Sequence, residues 1–323
     1  MNGTLTDVAG LSVGHWTDLG AATGCTVVLC DGEGAVAGVD VRGAAPGTRE
    51  IDLLDPVNAV QRIHAVVLAG GSAFGLDACS GVMRWLEAHG RGVPVGPVRV
   101  PIVCGAVLFD LVVGRADVRP DAAAGEAACE AASAAPVAQG CVGAGTGATV
   151  GKLLGFERVT KTGLGSASLR LAGGVTVAAL VAVNACGDVV DPASGAVLAG
   201  PRRPEGGFER SSEWLRAHVS TLQVGANTTI AVVATDAVLG KPEAAKVARM
   251  AHDGLARTID PVHTMMDGDT VFALATGASG VAADVTAVGS AAASVLADAV
   301  LAAVRAATGL AGIPAARDLE AGR

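Results

Sequence analysis

Short runs of apolar and β-branched residues, each bounded by Gly, Asp or Asn, recur along this chain and restrict it to a sheet-based fold. Cys25–Cys30, Ala35–Val41, Ala65–Leu68, Thr176–Val183, Thr229–Ala234 and Val271–Ala275 have the length and composition of strands. Gly75–His89, Ala122–Ala135, Pro242–Arg257 and Ser290–Ala307 carry the apolar spacing or Ala richness of helices. Strands and helices come in groups rather than in strict alternation. That order argues for packed sheets with helices outside, not a TIM barrel or a simple doubly wound sheet. Of the 323 residues 51% are hydrophobic, yet only 2% are aromatic and Tyr is absent. The core must therefore be built from Ala, Val, Leu and Gly, whose small side chains let layers approach closely.

Charge and cysteine usage exclude several classes. The net charge is −8, and the four Lys form no basic stripe with the Arg residues, so nucleic acid is not an expected partner. The seven Cys include no CxxC pair, and no His lies near them at zinc-ligand spacing. They read as reduced, buried thiols of a cytoplasmic protein, with neither a disulfide framework nor a structural metal. The start, Met1-Asn2-Gly3, lacks a basic region and an apolar stretch, so no signal peptide is expected. Asp298 and Arg305 interrupt the most apolar helix, which argues against a membrane span.

Five places could carry chemistry. Asn227-Thr228-Thr229 opens the strand run from Ile230. It is either a turn entering a strand or a latent nucleophile. If the bond before Thr228 is cut, the freed α-amine can serve as base for the Thr228 hydroxyl. An α-amine ordinarily titrates at about 7.7–8.0, which leaves part of it neutral near pH 7. The Gly-rich run 143–152 fails as a phosphate loop, because Thr146 stands where Gly is required and Leu153 where Ser or Thr is. It reads as a tight turn delivering Lys152 into a cavity, or as a turn with a solvated Lys. The segment Ala69–Gly75 is either an anion-binding helix start or a turn that needs glycine dihedrals. Asn184, closing an apolar strand, is either a turn cap or a donor to a developing oxyanion. Asp267 and Asp269 flank Gly268 just before a strand, where they could orient a neighbouring ammonium or hydroxyl; the same residues could be a simple turn. His263 lies close, but no GxSxG elbow supports a serine triad. The stretch Gly200–Ser212 reads as an exposed loop and as the tail of a separate segment.

Taken together these motifs resemble the DmpA-type aminopeptidases and the nylon-oligomer (6-aminohexanoate-oligomer) hydrolases. The carriers are GLSVGH at 10–15, TGCTVVL at 23–29, DVRGAAPGTRE at 40–50, LAGGSAFGLDA at 68–78, GAGTGATVGK at 143–152, VAVNACGDVVD at 181–191, ANTTIAVVATD at 226–236 and HTMMDGDTVFA at 263–273. The resemblance implies a four-layer αββα sandwich of the N-terminal-nucleophile hydrolase type, with residues 1–323 forming one α/β unit. It implies self-cleavage between Asn227 and Thr228 into segments 1–227 and 228–323, which stay associated and assemble as a tetramer of heterodimers. It assigns Thr228 as nucleophile, Lys152 as an active-site cation, Asn184 as oxyanion contact and the Asp267/Asp269 pair as support for the nucleophile. The implied activity is hydrolysis of short peptides or linear aliphatic amide oligomers through an acyl-enzyme, without cofactor. Acyl transfer to an amine, of the ornithine acetyltransferase type, and non-catalytic binding of a small molecule are the alternatives. Where some members of the family carry a Tyr hydroxyl near the oxyanion, this chain has Phe109, which cannot donate that hydrogen bond.

Overall fold

The computed structural model describes residues 3–218 and 227–320. Its main strands are β1 (Leu11–Asp18), β2 (Thr23–Cys30), β3 (Ala35–Val41), β4 (Ala65–Ala69), β5 (Val103–Val107), β6 (Leu164–Arg170), β7 (Thr176–Asn184), β8 (Thr228–Thr235) and β9 (Thr270–Ala275). Its main helices are α1 (Ala78–Ala88), α2 (Ala122–Glu130), α3 (Lys241–Thr258) and α4 (Val285–Ala306). One sheet runs β1-β2-β4-β5 and ends on the short strand Thr48–Arg49. The other runs β6-β7-β8-β9-β3 and ends on Arg62–Ile63. Neighbours are antiparallel except β4 with β5 and β8 with β9, which are parallel.

Side-chain alternation builds the layers. In β7, Val177, Ala179, Val181 and Val183 face α3 and α4, while Ala178, Leu180 and Ala182 face the other sheet. The same split divides β8 and β9: Ala231, Val233, Val271 and Ala273 go to the helices, and Ile230, Val232, Phe272 and Leu274 to the inter-sheet layer. In β2, Cys25, Val27 and Leu29 pack under α1 and α2 while Val28 and Cys30 enter the inter-sheet layer. A strand covered on both faces must be apolar on both, which is why these runs read as continuous rather than alternating in the sequence. The four-layer αββα order implied by the resemblance is present.

Small residues set the layer spacing. A Cβ on Gly165 would stand 2.0 Å from the carbonyl oxygen of Ala299, so α4 lies almost on the backbone of β6. Helix α4 is long and apolar enough to cross a membrane, with a mean hydropathy of 1.8, but 72% of that window is buried inside the protein. Its apolar face is spent on the sheet.

All six expected strands lie within observed ones, each within two residues of the expected bounds. The helix expected over Ala122–Ala135 stops at Glu130, because Ser133 exchanges backbone hydrogen bonds with Val13 at the edge of β1. The helix expected from Ser290 starts earlier, at Val285, where Asp284 caps the amides of Thr286 and Ala287. The first turn of Gly75–His89 is a 3-10 segment, Ser72–Asp77, and α1 proper begins at Ala78. Gly200–Ser212, expected as an exposed loop, is exposed only at residues 203–206; Gly200, Pro201 and Ser211 are buried, and a short helix, Ser211–Ala217, begins inside the segment. Residues 219–226, including the Ala226 that opens the motif at 226–236, lie outside the described residues.

Candidate active site

Three strand ends meet at one edge of the second sheet. β7 ends at Asn184 and β8 begins at Thr228, and antiparallel pairing sets these two residues opposite each other. β9 runs parallel to β8, so both start at the same edge, and the bridge Asn227↔Asp267 extends their pairing one step beyond the strands. Gly268 therefore lies alongside Thr228. It has to be glycine: a Cβ there would stand 2.5 Å from the Ala45 carbonyl and 2.9 Å from Thr228 Oγ1.

Thr228 is 5% exposed, and its hydroxyl donates to the carbonyl oxygen of Asn227. The same oxygen accepts from the Gly268 amide at 3.1 Å. The hydroxyl thus lies against the peptide group that precedes it, and a backbone donor already polarises that carbonyl.

Asn184 is fully buried and its orientation is fixed on both sides. Oδ1 accepts from Thr149 N at 3.1 Å and from Lys152 Nζ at 2.8 Å. Nδ2 donates to the Phe109 carbonyl at 3.1 Å. An amide nitrogen carries two protons, and the second has no acceptor among the described residues. Position 109 thus contributes its backbone, as the acceptor that holds the Asn184 amide.

Lys152 also donates to the Asn184 backbone carbonyl at 2.7 Å. Burial disfavours its ammonium and lowers its pKa to about 7. The Gly-rich turn that delivers it is pinned from several directions. Gly143 N donates to Thr17 Oγ1 and Ala144 N to Thr26 Oγ1. The buried Lys161 ammonium binds the carbonyls of Gly145, Ala148 and Thr162.

Of the two aspartates, Asp269 holds the nucleophile strand itself and Asp267 the backbone just beyond β7. Asp267 Oδ1 accepts from Cys186 N at 3.0 Å, and Oδ2 from the amide and hydroxyl of Thr264. Asp269 Oδ1 accepts from Thr229 N at 2.8 Å; Oδ2 accepts from His263 N at 3.1 Å and His263 Nδ1 at 2.8 Å. Burial, and next the nearby charge of Asp269, push the Asp267 carboxyl above its ordinary range. Cys186 is no competitor as nucleophile, since burial raises its thiol to about 12.

The structure therefore brings Asn227, Thr228, Lys152, Asn184, Asp267 and Asp269 together, although they come from separate parts of the chain. Of the two readings of Ala69–Gly75 it favours the turn that needs glycine dihedrals, with Gly71 at φ 81°, over the anion site. Gly70 N is taken by the Gly24 carbonyl, Gly71 N by Asp110 and Ser72 N by the Leu108 carbonyl, so these amides hold protein rather than an anion. Sequence reasoning named His263 and Gly268 but gave neither a role; Thr149 and Lys161 escaped it, because their contributions are visible only as contacts.

Residues 3–317 match the model of peptidase family S58. An uncharacterized aminopeptidase of Mycobacterium tuberculosis is 49% identical, over 98% of this chain and 97% of its own length. A 6-aminohexanoate-oligomer endohydrolase of Paenarthrobacter ureafaciens is 34% identical, over 84% of this chain and 74% of its own. Among solved structures, a Burkholderia sp. beta-aminopeptidase superposes with a TM-score of 0.73 at 24% identity, covering 99% of this chain and 93% of that one. The L-aminopeptidase D-Ala-esterase/amidase of Ochrobactrum anthropi, described as a variant of the Ntn hydrolase fold, superposes with a TM-score of 0.74 at 20% identity, covering 96% and 87%.

Proposed function

The chain belongs to peptidase family S58 and is a hydrolase of amide bonds, and from that premise we propose that Thr228 is its nucleophile, released as a new N-terminus when the protein cuts its own Asn227–Thr228 bond. The observation that carries this reading is the Asn227 carbonyl, held at once by the Thr228 hydroxyl and the Gly268 amide.

In the precursor, Thr228 Oγ attacks the Asn227 carbonyl carbon, and the Gly268 N–H stabilises the oxyanion. The proton lost from Oγ passes to the peptide nitrogen as the C–N bond breaks, so the nitrogen leaves as the neutral α-amine of Thr228. Asn227 is then an ester on Oγ. Water hydrolyses that ester, giving the Asn227 carboxylate and a free Thr228 amine and hydroxyl. The pieces stay together because β8 remains hydrogen-bonded between β7 and β9.

In the mature enzyme the Thr228 amine takes the hydroxyl proton as Oγ attacks a substrate amide. The unused N–H of Asn184 and the Gly268 N–H, no longer engaged by Asn227, receive the oxyanion. The amine product leaves with the transferred proton, and water returns the acyl group as an acid. Lys152 places its charge beside Asn184; since its pKa is about 7, that charge is present below neutrality and lost above it. Asp269 fixes the Thr229 amide next to the nucleophile, and Asp267 fixes the Cys186 amide two residues beyond Asn184. The substrates of this reading are short peptides or linear aliphatic amides. Quenching the enzyme during turnover of a slow substrate tests it. The acyl mass is expected on the fragment beginning at Thr228; an adduct on any residue of segment 1–227 would overturn the assignment.

A further inference from the structure

We infer that His263 is a positioning residue for the reaction: through its Nδ1–H it orients the Asp269 carboxylate, which in turn fixes the backbone beside Thr228. The inference rests on the proposed role of Thr228.

Asp269 Oδ2 is chelated by one residue, receiving both the backbone amide and the ring Nδ1 of His263. The other oxygen of the same carboxylate holds Thr229 N, one residue beyond the nucleophile. A rotation of this carboxylate would be passed to the start of β8. Because a carboxylate accepts, His263 Nδ1 carries a proton and donates it, which leaves Nε2 as the ring's other polar atom. That nitrogen is buried and finds no partner among the described residues, and the same holds for Nδ1 of His252. The two rings meet edge to face with centroids 4.9 Å apart, and His252 is anchored by Nε2 to the Asp40 carbonyl at 2.9 Å. His252 thus walls in the His263 ring without hydrogen-bonding to it, and the ring's described polar contact is the one to Asp269.

The backbone points the same way. His263 sits at φ 56°, in the left-handed region that costs a non-glycine residue energy. Asn and Asp join His as the residues enriched there. The turn holds His263 in this conformation, which brings its amide and its ring to one carboxylate oxygen.

This geometry supplies a discriminating set of variants. His263→Asn keeps tolerance of the positive φ and places an amide N–H where Nδ1 was. His263→Gly relieves the φ and removes the donor. His263→Gln carries the same amide one methylene further, near the position of Nε2. Self-cleavage rate, kcat and KM are measured for all three against wild type. The expected result is a fall in kcat and in cleavage rate of about tenfold or more in the Gly and Gln variants, the scale of a lost hydrogen bond to a charged group. KM should stay within about twofold, and Asn should recover kcat to within about threefold of wild type. If the Gly variant does not fold, the contrast between Asn and Gln decides alone. Equal kcat in all the variants and wild type would overturn the inference, as would equal impairment of Asn and Gln, which would make the ring's bulk the relevant property. Failure of the Thr228 reading is distinguishable, since the wild-type chain would then remain uncut.

Discussion

Thr228→Ala is expected to yield a chain that stays whole at 31.6 kDa and turns over amides at least about 10⁴-fold more slowly, the scale seen when a catalytic nucleophile is removed. The fold should survive the change. The pairing of β8 with β7 and β9 uses backbone groups, and the substitution removes only a hydroxyl and a methyl. The hydroxyl's partner is the Asn227 carbonyl, so losing it breaks no other described hydrogen bond. Thr229→Val is the matching control. Thr229 Oγ1 is buried with no hydrogen-bond partner among the described residues, so replacing it with a methyl leaves no polar group stranded. That variant should cut and turn over like wild type. A Thr228→Ala chain that appears as two fragments on a denaturing gel would contradict the scheme, as would a Thr229→Val chain that remains whole.

The second large effect is expected at Asn184. Asn184→Asp is nearly isosteric and keeps an oxygen for Thr149 N and Lys152 Nζ. It replaces the NH₂ group by an oxygen that faces the Phe109 carbonyl and can donate nothing to an oxyanion. Loss of such a donor costs about 10²–10³ in kcat. The added negative charge beside Lys152 would also raise that ammonium's pKa from about 7. Steady-state kinetics on a short peptide amide should show the loss in kcat with KM little changed. A kcat within about threefold of wild type would remove Asn184 from the oxyanion site.

Most of the fold was legible because the strands at its centre are covered on both faces. Thr176–Val183 and Val271–Ala275 stand out as unbroken apolar runs for that reason. Two of the strands with a half-buried or exposed side, β1 and β6, were not legible. β1 carries His15, Trp16 and Thr17 among its apolar residues, and β6 ends in the exposed Leu169 and Arg170. β5, Val103–Val107, is fully buried but only five residues long, with a glycine at its centre.

At the site, the strand opening at Thr228, the Gly-rich delivery of Lys152 and the paired aspartates were all visible as local chemistry. Their meeting was not. The contact between Asp269 and Thr229 spans 40 residues of sequence and depends on parallel pairing of two strands joined through α3, which no local pattern encodes. His263 needed a positive-φ turn to double back on Asp269, and composition gives no sign of that. At Phe109 the side chain drew attention for the hydroxyl it lacks, whereas the group that reaches Asn184 is the main-chain carbonyl.

Intact mass and N-terminal sequencing of the purified wild-type protein test the central claim most directly. The account requires two tightly associated polypeptides, the smaller beginning with Thr228 and the larger ending at Asn227. A single 31.6 kDa chain that hydrolyses amides at full rate, or a cut at any other bond, would contradict it.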